Sequence, residues 1–455
     1  MAITITQQPD QFGMTNSDLL FAVTSTTSSS PQYQFVADLT YSGSSTVLQR
    51  IKQQPNPSAT GVFNFGQIVA SYLAEDNVWK AAPFATASQA GKRFSLKFGE
   101  EYGTSVSSSV VLYNGISTTA GAPAKTGSVY YYIVDSLVEP YGASDWNFPT
   151  ASYYTQSVAP TGGGAGFSRQ SVLSNAPLSQ SIQDGEYATI ALINGNFDNS
   201  STTAQDIYYY EINVFDITGS NIQNQSIFNI TSNGGGPRTN ANDEWSDAGV
   251  YNGQTQNTQL LTVGVGPANI ADAGTPLDPD WYSYSVILRP QESAGTEDNT
   301  AYYAKYNFVK QGAQCGYDGV RFAWKNEFGT WDYYTFTLQS DSSFTIERQA
   351  YEQTFVNYST PTDTVAYDRQ RRGNTQFYNA LNQTRTANSN WLTQQEADWL
   401  RELFFSANVY QQDGSDFFPV VITSANLVEK TNPRTQKTFQ YAIEFKPANQ
   451  LRPRI

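Results

Sequence analysis

Histidine is absent from all 455 residues. Its absence removes the usual general base at neutral pH, the serine and cysteine triads that depend on imidazole, and every zinc site with a histidine ligand. A single cysteine, Cys315, excludes intrachain disulfides, so stability must come from packing and assembly. Lacking an imidazole partner, that thiol reads as a small core residue. Charged residues are scarce as well, at 15% of the chain, and unevenly signed: 26 Lys and Arg stand against 40 Asp and Glu, a formal net charge of −14. A polyanion would meet a repulsive field, so nucleic acid is not expected as a partner. No apolar run approaches the length of a membrane span, and Met1–Ile5 lacks a basic stretch leading into an apolar one. A chain made and used in the aqueous phase, with no membrane partner, is the expectation.

Aromatic residues are abundant, with 30 Tyr and 26 Phe. A surface of hydroxyl, amide and aromatic groups suits β-sheets and large protein contacts. The length exceeds one ordinary core and calls for two or three domains. Three are expected: an N-terminal β-sandwich over 1–145, a middle β-rich domain over 146–310, and a C-terminal α+β domain over 311–455. The fold class is therefore mainly β, tandem Ig-like sandwiches followed by an α+β domain. Charge is divided unevenly between these parts. Residues 311–455 hold 14 of the basic and 15 of the acidic residues, leaving that third nearly neutral and the rest strongly acidic. A neutral surface is the easier one to bury against neighbours.

Alternation of period two marks the strands. Phe94, Leu96 and Phe98 share a face, as do Tyr208, Tyr210, Ile212 and Val214, and Tyr282, Tyr284, Val286 and Leu288. Further strands are expected near Phe21, Tyr33–Tyr41, Val47–Ile51, Tyr130–Leu137, Tyr187–Ile193, Gln259–Val265 and Tyr302–Val309, with one short helix at Gln67–Leu73. Tyr130–Tyr132 and Tyr208–Tyr210 set tyrosines on both faces of a strand, the outward ones being candidate contacts for protein or glycan. In the last third, Val320–Trp324 and Trp331–Leu338 read as a hairpin turning through Asn326 and Gly329. Trp331 and Tyr333 on its second arm are candidate interface residues. Thr393 and Glu396 form a capping box ahead of a helix whose Ala397, Leu400, Leu403 and Phe404 share a face. Asp413-Gly414 supplies a turn, and Phe418–Thr423 with Thr438–Phe445 form a closing strand pair.

The chain holds two acidic constellations that bear on chemistry. Glu100 and Glu101 are adjacent, so a strand would send them to opposite faces, unlike the facing carboxylates of a glycosidase. Asp243, Glu244 and Asp247 beside Trp245 are the best candidates for a hard cation or a sugar, set against a solvated loop, although the alternating ligand pattern of an EF-hand is missing. No cofactor is called for: Gly162–Gly164 and Gly234–Gly236 lack the following Lys-Ser or Lys-Thr of a phosphate-cradling loop. Arg369, Arg371 and Arg372 form the one dense basic cluster. With most of the chain acidic, an inter-subunit ion-pair site suits them better than phosphate contacts.

Three short patches stand out: Ile3-Thr4-Ile5-Thr6-Gln7-Gln8-Pro9, Pro55-Asn56-Pro57 with Gly61-Val62-Phe63 and Ile68–Leu73, and Phe98-Gly99-Glu100-Glu101-Tyr102-Gly103. The longest patch runs from Tyr317 through Trp331 and Tyr334 to Ile346-Glu347-Arg348, resumes at Asn390-Trp391-Leu392, and continues through Val409-Tyr410 and Pro419-Val420-Val421-Ile422 to Phe445. These patches resemble structural proteins of tailed bacteriophages of Bacteroidota, including crAss-like phages. Together they cover about half the chain, while 140–310 matches in texture alone. The resemblance implies a virion component of the tail, neck or baseplate, assembled in the host cytoplasm as a homo-oligomer among other tail, portal or neck proteins, with no reaction to catalyse. Two other readings compete. The middle domain could be an adhesin that takes a host surface glycan through Tyr and Trp, or a capsule depolymerase using Asp243 and Glu244.

Overall fold

The computed structural model describes residues 3–9, 12–15, 18–41, 44–87, 89–103, 111–112, 117–118, 129–134, 172–193, 207–228, 260–293, 296–297, 304–312, 317–354, 356–359, 361–362, 364–367, 370, 373–424 and 440–449. The protein is mainly β, its sheets largely antiparallel. The chain divides into two compact units, residues 1–312 with 325–332, and residues 313–324 with 333–455.

Unit 1 opens with two sheets facing one another. One runs, in spatial order, Ser117–Thr118, Thr4–Gln7, Leu20–Thr24, Thr60–Asn64. The other runs Phe12–Met14, Val129–Val134, Gly91–Glu101, Gln34–Tyr41, Val47–Gln53. Alternate residues of each sheet point inward, and the rings of Phe21 and Phe63 from the first meet Phe98 of the second at 5.5 and 5.7 Å. Phe94, Leu96 and Phe98 do share the buried face, as their spacing requires. The short helix falls at Gly66–Ala70 and contributes Val69 to this core. Gln34–Tyr41 is buried on both faces, which leaves Asp38 inside; Arg50 neutralises it through Nε at 2.6 Å and Nη2 at 2.7 Å, the bidentate arrangement that suits a carboxylate away from water.

A second pair of sheets follows in the same unit. Ser179–Ile182, Ala304–Lys310, Ser283–Ser293, Ile207–Phe215 and Asn221–Phe228 form one; Thr189–Ile193, Leu260–Gly264 and Phe84–Thr86 form the other. The last strand comes from before position 145 and its partners from after it, so this sheet is built by both expected domains. Tyr210 and Tyr284 cross between the layers and donate their hydroxyls to the carbonyls of Gly264 and Val265 at 3.1 and 2.9 Å. Tyr282 departs from the expected inward row: the strand starts one residue later, and this ring is exposed. Tyr209 also departs from expectation, since its outward position in the pleat is buried too.

In unit 2 the main sheet runs Trp331–Phe336, Val320–Lys325, Val409–Asp413, Asp416–Ile422, Ala442–Pro447, Asn374–Asn388, Ser340–Glu352. Tyr441, Ile443 and Phe445 point inward while Gln440, Ala442 and Glu444 are exposed, the alternation expected of the closing strand. Helix Gln394–Phe405 packs on this sheet. Its Thr393 hydroxyl accepts from the Glu396 amide, and the Glu396 carboxylate accepts from the Thr393 amide at 2.8 Å, so both halves of the capping box are made. Ala397, Leu400 and Leu403 are buried as their spacing predicts, joined by Trp399, whose ring meets Trp324 at 5.2 Å.

Candidate interaction surface

The outermost strands of unit 2 leave the sheet behind. Asn374–Asn388 is 15 residues long, yet only Arg385–Asn388 pair with the neighbouring strand Ala442–Pro447. The remainder pairs with Ser340–Glu352 alone, from Ser343 opposite Thr384 out to Glu352 opposite Asn374. Beyond that the chain continues as a smaller pair, Val356–Ser359 against Thr364–Tyr367. The Gln353 amide, bonded to the Gly373 carbonyl at 2.5 Å, ties the two segments together. The result is a two-stranded ribbon with a sheet at its base and, among the described residues, no layer against its length.

Its side chains are unlike those of a solvated hairpin. Phe344, Ile346, Tyr351, Val365, Tyr367, Phe377, Tyr378 and Leu381 are all exposed, from 41% at Leu381 to 71% at Tyr367. These are eight of the twenty large hydrophobic side chains that are exposed among the described residues, concentrated in one stretch of the chain and distributed over both faces of the ribbon and its end pair. Pairing in register puts Ile346 opposite Leu381 and Phe344 opposite Gln383, an apolar stripe on one face. On the other face Tyr378 lies opposite Gln349, and the register slips between Gln349 and Ala350 where Phe377 is the extra residue. Covering this surface would regain about 1 kcal/mol for each half-exposed side chain. Eight of them give on the order of 8 kcal/mol, inside the roughly 4–15 kcal/mol that association costs. Apolar burial alone therefore makes a weak contact, and backbone pairing or repeated symmetry must supply the rest.

The expected site residues are dispersed. Arg369, Arg371 and Arg372 lie outside the described residues, as do Asp243, Glu244, Asp247 and Cys315. Trp331 and Tyr333 are each 5% exposed and engaged within the chain, so neither presents its ring to solvent. Trp331, counted in unit 1, donates its indole N–H to the Asp76 carbonyl at 2.8 Å and meets the Trp79 ring edge to face at 5.2 Å. The same hairpin tip is held by Asn326 and Thr330, which both donate to the Leu173 carbonyl. Tyr333, in unit 2, lies beneath the Arg321 guanidinium at 5.4 Å. Residue type alone does not distinguish an inter-subunit contact from an intrachain one.

Glu100 and Glu101 do point to opposite faces. Glu100 is 2% exposed and its Oε2 accepts from the hydroxyls of Ser25, Thr27 and Tyr33, while Glu101 pairs with Lys52 at 2.6 Å. Among the described residues no group of three or more acidic, cysteine or histidine side chains could hold a metal ion. No helix among them is long and apolar enough to cross a membrane. The ribbon is not evident in the sequence: Phe344 and Ile346 alternate with polar residues, a pattern that marks a strand without saying what covers it, whereas Phe377-Tyr378 and Ala380-Leu381 are adjacent apolar pairs that break the alternation.

No protein-family model matches the chain, and no curated protein matches it.

Proposed function

We propose that this chain is a structural component of a tailed bacteriophage particle, joined through protein contacts to other tail, neck or baseplate proteins and to further copies of itself, and performing no catalysis. The observation that carries this reading is the ribbon. An isolated two-stranded hairpin is marginal in water, and one that also exposes eight large apolar side chains is built to lie against another protein. The near-neutral charge of residues 311–455 supports it, because that third can be buried against neighbours without the repulsion the acidic remainder would bring. The patches that resemble phage structural proteins support it as well, and the longest of them runs into the ribbon at Ile346-Glu347-Arg348. On this reading the paired sheets of unit 1 are tandem Ig-like sandwiches, unit 2 is the α+β assembly unit, and the protein resides in the virion after assembly in the host cytoplasm.

Quantitative mass spectrometry of purified particles tests it. The chain is expected in a simple copy ratio to the portal protein. Its absence from particles would overturn the structural reading and return saturable binding of the purified protein to host glycan, or release of oligosaccharide, to first place.

A further inference from the structure

Strand Ser340–Glu352 is the last in its sheet, paired on one side with Asn374–Asn388 and, among the described residues, with nothing on the other. Natural edge strands are kept short or are blunted with lysine, proline or a covering element. This one has 13 residues, is exposed from Asp341 to Glu352, and contains neither lysine nor proline. At ~3.3 Å per residue it offers about 43 Å of unpaired amides and carbonyls, a template for another strand.

Resting on the reading of the ribbon as an assembly arm, we propose that the occupant of this edge is the same strand of a second copy, antiparallel about a two-fold axis at Ile346. The strand's own sequence selects both partner and register. About Ile346, Phe344 falls opposite Arg348, Thr345 opposite Glu347, Ser343 opposite Gln349, Ser342 opposite Ala350, Asp341 opposite Tyr351 and Ser340 opposite Glu352. Every residue finds a partner, no like charges meet, and the Arg348 guanidinium reaches a phenyl ring. Neighbouring registers do worse. An axis at Glu347 or Arg348 sets that residue against itself, and one at Phe344 sets Asp341 against Glu347. An axis at Thr345 leaves Tyr351 and Glu352 unpaired. Charge on the larger scale agrees. Residues 340–388 contain five arginines and five acids, so the ribbon is neutral while the rest of the chain carries the whole −14. Two copies can therefore meet at the ribbon without pressing acidic surface on acidic surface. The pairing would continue the sheet of one copy into the sheet of the next and supply the backbone bonds that apolar burial alone lacks.

Disulfide trapping in the full chain tests the axis. With Cys315→Ser removing the natural thiol, Ile346→Cys places two thiols directly opposite, where antiparallel Cα atoms stand about 4.5–5.5 Å apart, within the ~4.4–6.8 Å a disulfide spans. Asp341→Cys places its two thiols ten residues out of register, about 34 Å apart. Both sites are exposed, and both variants should keep the far-ultraviolet circular dichroism of the parent. In a glutathione redox buffer the Ile346→Cys chain is expected to become a disulfide dimer and the Asp341→Cys chain to stay reduced, with the parent dimeric by light scattering. Equal trapping at both positions, no trapping at Ile346→Cys, or a monomeric parent would overturn the proposal. If trapping fails while the chain is still counted in particles, the assembly reading stands with a different occupant. Absence from particles defeats the assembly reading whatever the trapping shows.

Discussion

The Tyr33 hydroxyl donates to the Glu100 carboxylate at 3.1 Å, and the same oxygen accepts from Ser25 at 2.6 Å and Thr27 at 2.5 Å. A carboxylate that is 2% exposed is thereby satisfied by three hydroxyls drawn from the start of strand Gln34–Tyr41 and the loop before it. The arrangement fixes that loop to the end of Gly91–Glu101, and so is structural in kind.

Replacing Glu100 by Gln keeps a carbonyl oxygen able to accept from the three hydroxyls but removes the charge from these hydrogen bonds. A loss of about 2–3 kcal/mol is expected, read as a lower urea midpoint with an unchanged slope. Glu101→Gln, which breaks a pair with the largely exposed Lys52, should cost less than about 1 kcal/mol. Equal effects at the two positions would refute the assignment.

Alkaline pH should destabilise the protein. Tyr33, Tyr210 and Tyr334 are all held above the ordinary tyrosine range, in each case chiefly because burial disfavours the phenolate, with the negative charge of Glu100 adding at Tyr33 and that of Glu396 at Tyr334. In the unfolded chain these groups lose their protons near pH 10. Above that pH the folded state binds more protons than the unfolded one, so stability is intact below about pH 10 and falls as pH rises, by up to ~1.4 kcal/mol per pH unit for each tyrosine. Urea midpoints at pH 8 and pH 11 measure this, and phenolate absorbance should show a class of tyrosines that ionises only on unfolding.

Thr393→Ala removes the cap of the helix that covers the unit 2 sheet and is expected to cost about 1 kcal/mol, while Thr393→Ser should restore most of it. The readout is the midpoint of thermal or urea unfolding. No loss on Thr393→Ala would mean that the buried face of Ala397, Trp399, Leu400 and Leu403 holds the helix without its box.

Removing the ribbon should separate folding from assembly. Ser342 and Arg385 are paired, so an Asn-Gly turn between them in place of residues 343–384 closes a two-residue hairpin on the existing register. The shortened chain is expected to fold, with cooperative unfolding retained, and to be lost from purified particles. Particles that contain it at the normal copy number would place the assembly surface elsewhere.

Much of the fold was legible because it depends on local rules. The alternation at Phe94, Leu96 and Phe98, the turn residues Asn326 and Gly329, and the Thr393–Glu396 box each act within a few residues and were found where expected. Positive φ at Gly329 and Gly414 marks two turns that could be read from Gly alone. Less was legible wherever the second face of a strand mattered. Tyr209 should have looked outward and is buried, and Trp331 and Tyr333 should have faced a neighbour and are engaged inside the chain.

The sequence by itself determined that the chain is mainly β, that imidazole chemistry and intrachain disulfides are excluded, and where many of the strands and turns and the capped helix begin. Those properties follow from residue type and spacing. Which strands are covered was decided only by the tertiary structure. Ser340–Glu352 and Ser283–Ser293 are both strands, but the second lies in the middle of a sheet with packed layers and the first stands at an edge with its apolar groups in water. Side-chain alternation records a strand's own pleat, whereas burial depends on partners far away in sequence that the strand does not encode.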